Sequence, residues 1–395
     1  MTPSYDALLG LSTGDSFGAQ FFVPDNREHL TARQLPPGPW PWTDDTEMAC
    51  SVHAALTERG EVDVFDLTHA FANHHDFDRG YGPAANRLLR LVREGGDAPA
   101  LAAALFDGQG SYGNGAAMRV APLGAAYADD PARAVGPATA TAVITHTHPQ
   151  AVAGAVAVAV AAAYAVRART EPTTPEGFLG AVLALTPDGA VRRGIAEAVT
   201  LLGVADHRTA AQLLGNGRLV SAADTVPFAL WAAARNLGDY PSALWETVSA
   251  GGDVDTTAAI VGGVVAAHTG AAGIPDAWLA AAEPLPDWAF PEPGGVAGPR
   301  GRAVLRPEPV AFPEVEWTSE DWQRVRTRDR EPGAWYRYTR EGVLHLGRDG
   351  DEVFAVLVRA VRGRFRPAAA VVETDPGRAV PADPAGELAG LLRAL

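Results

Sequence analysis

Cysteine is almost missing from this chain of 395 residues. Cys50 is the only one, so no intrachain disulfide can form, and the count fits a reducing compartment. Positive charge is also short: 32 Lys and Arg stand against 47 Asp and Glu, a net charge of −15. That balance argues against nucleic acid or another polyanion as partner and steers phosphate-bearing ligands poorly, so a site for one needs a local cation. No apolar stretch reaches the roughly 20 residues of a membrane span. The most apolar, 151–166, is Ala, Val, Gly and one Tyr, and reads as a buried core helix. Met1-Thr2-Pro3-Ser4-Tyr5-Asp6 has no basic stretch leading into an apolar one, so no secretory leader is expected and a cytoplasmic location is.

What is present is small and apolar. Hydrophobic residues make up 47% with only 13 Phe and 3 Met, the bulk being Ala and Val, which suits closely packed helices. Apolar stretches of helical length recur, separated by Gly, Pro, Asp and Asn. Helices are predicted over 5–19, 45–59, 64–73, 84–93, 98–105, 115–126, 131–145, 150–167, 175–185, 189–199, 209–214, 224–234, 240–250 and 256–269. Residues 1–300 thus read as one all-α unit. A Pro- and Gly-rich stretch, 283–313, reads as a linker or wrapping segment. Beyond it, 335–338, 343–346 and 353–361 look like strands, with a turn at 347–351 and a closing helix at 387–395. Residues 314–395 are expected to form a small α+β appendage.

Two acidic motifs precede apolar-periodic helices: Trp42-Thr43-Asp44-Asp45-Thr46-Glu47 and Gly251-Gly252-Asp253-Val254-Asp255-Thr256-Thr257. Each alone is explained by capping, since Thr and Asp are ordinary N-caps and first-turn acids favour the helix dipole. One cap does not need two Asp residues with flanking Thr, however, and Asp253 and Asp255, two apart in an irregular turn, can point at one centre. Brought together, the two turns would supply four carboxylates and several hydroxyls, a hard-oxygen site suited to Mg²⁺ or Mn²⁺. Divalent cations would remove the repulsion that packing four carboxylates creates. Neither motif contains Cys or His, which argues against zinc.

Gly110-Ser111-Tyr112-Gly113-Asn114-Gly115 leads toward an apolar segment. It is either a tight turn entering a helix or a loop whose backbone N–H groups face a phosphate. Arg119 serves equally well as partner of an internal carboxylate or of a ligand. Thr145-His146-Thr147-His148-Pro149 precedes a long helix, and its i, i+2 histidines are not a helical metal pair. Asp15, flanked by Gly14 and Gly18, reads as a structural hydrogen-bonding residue at a close helix contact.

In this order, these motifs resemble the ADP-ribosylglycohydrolase family over roughly residues 5–270. The matching pieces are Gly14-Asp15-Ser16-Phe17-Gly18, Thr43-Asp44-Asp45-Thr46, Asp78-Arg79-Gly80-Tyr81-Gly82, Ser111 to Arg119, Thr145-His146-Thr147-His148-Pro149 and Gly251-Gly252-Asp253-Val254-Asp255-Thr256. The resemblance implies an orthogonal multi-helix bundle with two Mg²⁺ (or Mn²⁺) held by Thr43, Asp44, Asp45, Asp253, Asp255 and Thr256. It implies that Ser111, Tyr112, Gly113, Asn114, Gly115 and His146 line an ADP-ribose cleft. Asp44, Asp45 and Asp78 would be catalytic, Asp78 matching an acidic loop residue that some members use at the ribose. The implied partner is an ADP-ribosylated protein or small conjugate, and a monomer with no membrane partner is expected.

Members acting on serine-linked ADP-ribose carry a glutamate shortly after the first Gly-Asp motif. Here the stretch reads Ala19-Gln20-Phe21-Phe22-Val23, which shifts the expected substrate toward arginine-type N-glycosidic links, unless Glu28 substitutes. Two other readings stand beside this one. An ADP-ribose-binding protein without catalysis would have the same cleft. Asp44-Asp45-Thr46-Glu47 also loosely resembles the diphosphate motif of all-α prenyl-type synthases, but that reading leaves Gly251–Thr256 and the glycine loop unexplained.

Overall fold

The computed structural model describes residues 2–203, 206–290, 307–309, 311, 336–340, 343–348, 351–361, 364–373 and 383–394. Up to residue 290 it is helical, and among the described residues there it has only two isolated β-bridges. The order is α1 (Pro3–Ala19), α2 (Arg27–Ala32), α3 (Asp44–Arg59), α4 (Val64–His74), α5 (Pro83–Arg93), α6 (Ala98–Ala103), α7 (Ala121–Ala126) and α8 (Val135–Ala142). Then come α9 (Pro149–Arg167), α10 (Pro175–Leu185), α11 (Ala190–Thr200), α12 (His207–Leu214), α13 (Ala222–Arg235), α14 (Tyr240–Ser249), α15 (Val254–Thr269) and α16 (Asp276–Ala281). The all-α expectation holds, and most predicted helices lie within two residues of the observed ones.

Two predicted helices are broken. In place of 115–126 there is a 3₁₀ turn, Asn114–Ala116, and then α7. Pro122 supplies no N–H and its ring crowds a carbonyl one turn back, which disfavours a continuous helix, and a new one starts with Pro in its first turn. In place of 131–145, a 3₁₀ turn, Pro131–Ala134, precedes α8. The short α2 and α16 have too few turns to show an apolar period.

The chain divides into two compact units: 1–57, 74–88 and 98–290 form the first, and 58–73, 89–97 and 291–395 the second. At the centre of the first, α1 and α15 are buried nearly all round. They run antiparallel with their backbones in contact. A Cβ added at Gly10 would stand 2.4 Å from the Gly262 carbonyl oxygen, one at Gly14 2.3 Å from that of Ala258, and one at Gly18 2.3 Å from that of Val254. Spacing by four keeps these glycines on one face of α1. The reversed order of their partners places the C-terminal half of α1, with Asp15, beside the N-terminus of α15, with Asp255. Helix α9 packs against α7, α8, α10, α13 and α15. It has the length and composition of a membrane span, yet 72% of its most apolar window is buried within the protein, as expected for a core helix.

In the second unit, five strands form an antiparallel sheet: β1 (Pro307–Pro309), β2 (Tyr336–Arg340), β3 (Val343–Arg348), β4 (Asp351–Val361) and β5 (Arg364–Glu373), in the order β1-β5-β4-β3-β2. Phe354 pairs with Leu346 on one side and Val372 on the other, and all three are buried. A helix, α17 (Pro384–Ala394), follows. Residues 291–306 of the Pro- and Gly-rich stretch, Trp335, turn residues 349–350 and Leu395 lie outside the described residues.

The α1–α15 contact reverses the usual glycine rule. Gly→Ala inside a helix normally gains about 1 kcal/mol, and Gly180→Ala in α10, where a Cβ meets nothing within 4 Å, is expected to do so. Gly14→Ala instead forces two backbones apart and is expected to lose about 2 kcal/mol or more. Urea unfolding of both variants checks this; a Gly14→Ala chain as stable as the Gly180→Ala chain would contradict it.

Candidate functional site

The first acidic turn is fastened from another helix. Asp15, fully buried on α1, accepts through Oδ2 from the Thr43 N–H (2.8 Å), the Thr46 N–H (3.2 Å) and the Thr46 hydroxyl (2.6 Å). Its Oδ1 accepts from the Thr43 hydroxyl at 2.8 Å. Asp15 thus caps α3, satisfying N–H groups that a helix start leaves open. This releases Asp44 and Asp45 from capping. Asp15 was read as structural; the structure gives it that hydrogen-bonding task and also places it inside the acidic cluster.

Asp45 is buried, with Oδ2 facing the hydroxyls of Thr43 (3.1 Å) and Thr256 (3.4 Å). Oxygens of Asp15, Asp45 and Asp255 lie within 4.8 Å of one another. The two turns, more than 200 residues apart, therefore meet. Asp253 joins them and accepts from the Asn114 amide at 2.7 Å. Asp44 borders the loop that carries Asp78, a Cβ at Gly80 standing 3.8 Å from Asp44 Oδ1. Asp78 itself is exposed on the 3₁₀ turn Phe77–Arg79.

Burial raises the pKa of every acid in the cluster. Asp44 is pushed up to about 8, by burial first and then by the Asp15 charge. Asp45 and Asp255 are driven well above the usual carboxylate range by burial and by neighbouring carboxylates. Asp15 and Asp253 are raised by burial against the pull of their hydrogen bonds. Asp45 Oδ1 is buried without a hydrogen-bond donor. An orphaned carboxylate oxygen in a nest of carboxylates and threonine hydroxyls fits a divalent cation with oxygen ligands.

The glycine loop adjoins this cluster. Asn114 spans the two, its amide donating to Asp253 and to the Thr225 hydroxyl at 3.1 Å. Ser111 Oγ accepts the Gly113 N–H at 3.2 Å, and Tyr112 is 47% exposed. His146 lies behind the loop, where a Cβ at Gly115 would stand 2.8 Å from its Cε1, so only glycine fits there. Its Nδ1 is 2.6 Å from the Thr145 hydroxyl, and burial, aided by the Arg119 charge, lowers its pKa to about 3. It is neutral at physiological pH. Arg119 points inward, bonding the Thr141 carbonyl at 2.9 Å, and is fully buried.

Sequence reading missed a second segment, which adjoins this loop. Asn216, Gly217, Arg218, Val220, Gly252 and Asp253 line an open cleft of about 400 Å³. The Asn216 carbonyl accepts the Asp253 N–H at 3.1 Å, and a bridge joins Gly113 to Ser221. Asn216-Gly217 signals a turn, but nothing local tells that the turn lies on Asp253.

The raised pKa values give a sign for stability. Asp44 titrates near 3.8 unfolded and near 8 folded. Its favourable contribution is full below pH 3.8 and is lost as pH rises toward 8. In a chelator-treated protein, Asp44→Asn is expected to raise Tm at pH 8 and to leave it unchanged at pH 3.5. Thermal melts at both pH values check this; an Asn variant no more stable than wild type at pH 8 would contradict it.

Residues 4–293 match the ADP-ribosylglycohydrolase family. The chain is 36% identical to the ADP-ribosylhydrolase ARH3 of Xenopus tropicalis over 134 residues, which is 31% of this chain and 38% of that protein. It is 30% identical to the human ADP-ribosylhydrolase ARH3 over 280 residues, 61% of this chain and 74% of that one. A solved ADP-ribosylglycohydrolase-related protein complex shares the fold, with a TM-score of 0.54 and 28% identity over 73% of this chain and 94% of that one. The cluster of acidic turns, the glycine loop and the helical core carrying them thus lie within the matched region, and this chain belongs to the ADP-ribosylglycohydrolase family.

Proposed function

We propose that this protein hydrolyses the glycosidic bond of ADP-ribosyl conjugates at a centre of two Mg²⁺ ions (or Mn²⁺), releasing ADP-ribose, and prefers arginine-type N-glycosidic links. The observation that carries this is the meeting of the two acidic turns around the unpartnered Asp45 Oδ1. Thr43, Asp44, Asp45, Asp253, Asp255 and Thr256 would hold the cations, which when bound supply positive charge for a ligand with two phosphates and acidify a water.

The chain's own groups do the remaining work. Asp44 or Asp45 orients the attacking water or takes its proton. The backbone N–H groups of Gly113 and Gly115, where His146 crowds out a Cβ, receive the pyrophosphate. Asp78 protonates or stabilises the departing side. Asn114 sets Asp253 and the loop in one frame through its amide.

The preference for arginine rests on the segment after α1. Residues 20–23 hold no acid, and the Gln20 amide there is committed to the Ser16 carbonyl at 2.9 Å. Glu28 is exposed on α2. The same reading takes the protein as a cytoplasmic monomer acting on an ADP-ribosylated protein or small conjugate, without nucleic-acid or membrane partners.

The test is a panel of arginine-, serine-, phosphate- and nucleobase-linked ADP-ribose conjugates, each with and without Mg²⁺. Turnover is expected to require the metal and to be fastest on ADP-ribosyl-arginine. Asp253→Ala is expected to abolish it while circular dichroism shows the helix content intact. Full activity of that variant would refute the metal role. Tight ADP-ribose binding with no turnover of any conjugate would favour a binding protein.

A further inference from the structure

The loop carrying Asp78 is tied down by groups that the site described above leaves without a role. Arg79, next to Asp78, lays its guanidinium over the Trp42 ring, 3.4 Å from the centroid. Its Nη1 donates to the Trp42 carbonyl at 3.0 Å and to Glu283 Oε2 at 2.8 Å, while Nη2 donates to Glu283 Oε1 at 2.9 Å. Glu283 Oε2 also accepts the Trp42 N–H at 3.3 Å, and the Trp42 indole donates to the Pro284 carbonyl at 3.2 Å. The strap containing Glu283 is itself paired with Trp40: Trp40 N–H donates to the Ala281 carbonyl at 2.7 Å and Glu283 N–H to the Trp40 carbonyl at 2.8 Å. At the loop's other side, Glu47 Oε2 accepts the Tyr81 hydroxyl at 2.6 Å and the Asp76 N–H at 3.1 Å.

These contacts join three segments far apart in the chain. Trp42 directly precedes Thr43, and Arg79 directly follows Asp78. A forked guanidinium–carboxylate pair fixes rotation as well as distance, and the aromatic face beneath adds attraction. The pair is 21% and 30% exposed, so its worth to global stability is small. Its geometric effect is local and falls on the span between Asp78 and the acidic turn.

We infer that Arg79 and Glu283 are positioning residues: their clamp on Trp42 sets where the exposed Asp78 stands relative to Thr43, Asp44 and Asp45. The segment at the edge of the Pro- and Gly-rich stretch thereby serves the site, 204 positions away from Arg79. The catalytic consequence rests on the proposed hydrolase reading; the mechanical part does not.

The experiment compares the full-length wild type with Glu283→Ala, Glu283→Gln and Arg79→Lys. It measures hydrogen exchange in the 76–82 peptide, kcat and KM on ADP-ribosyl-arginine, and Mg²⁺ affinity by calorimetry. In Glu283→Ala, exchange in 76–82 is expected to rise at least about tenfold, with peptides from α1 and α15 unchanged. The kcat is expected to fall by about tenfold or more, because small misplacements are costly at a reacting centre. KM and Mg²⁺ affinity are expected to hold within about twofold, since neither is set by the angle of Asp78. Arg79→Lys, which loses the fork, should behave like Glu283→Ala. Glu283→Gln keeps one acceptor oxygen and should fall between it and wild type.

Unchanged exchange in 76–82 overturns the clamp, as does a rise shared equally by α1 and α15. Loosened exchange with undiminished kcat overturns the positioning role. If wild type turns over no conjugate, the hydrolase reading fails, and exchange in 76–82 alone still decides the clamp.

Discussion

Backbone contact between α1 and α15 is the constraint on which the site depends. Side chains of ordinary size would hold two helix axes about 8–10 Å apart. Gly10, Gly14 and Gly18 remove the side chains from one of the two surfaces, and the carbonyls of Gly262, Ala258 and Val254 move into the space. The antiparallel direction then decides chemistry as well as packing. Asp15 follows Gly14, Asp255 follows Val254, and each pair sits at the same end of the contact. A slip of one helical turn, about 5.4 Å, would carry Asp15 away from Asp255 and from the start of α3.

From that contact the cluster is assembled by hydrogen bonds that run one way. Asp15 accepts from both backbone and hydroxyl donors of Thr43 and Thr46. With α3 capped from outside, Asp44 and Asp45 are turned toward Asp253 and Asp255 although burial makes their charge costly. Such an arrangement persists where it is offset by packing elsewhere and used for function. The apolar helices α9, α13 and α15 provide that packing.

Periodicity made the helices legible, because Ala- and Val-rich stretches with Gly or Pro at their ends leave little choice of element. It failed at Pro122, where a first-turn proline marks a new helix inside an apolar stretch, and over 131–134, where the first turn is 3₁₀. The acidic turns were legible as chemistry because four carboxylates and flanking threonines exceed what capping needs. Their convergence was not, since it depends on which faces of α1 and α15 touch. Asn114, which the resemblance puts at the ADP-ribose cleft, donates its amide to Asp253 and Thr225, contacts that no local pattern announces. Asn216-Gly217 carried only a turn signal and Glu283 no motif; their place at the site comes from long-range backbone pairing that no local pattern encodes.

Charge acts on two scales in this protein. Overall the chain is strongly acidic, and the cluster gathers carboxylates whose ionisation burial and mutual repulsion oppose until a cation offsets them. The buried cation Arg119 faces inward, and His146 is neutral, so neither offers charge to an incoming phosphate. In the proposed reading, divalent cations reverse the local field and make room for a ligand with two phosphates. Linkage then binds the two events together. Whatever factor the cations contribute to ligand affinity, the ligand must contribute to cation affinity, because the same carboxylates that attract one repel the other.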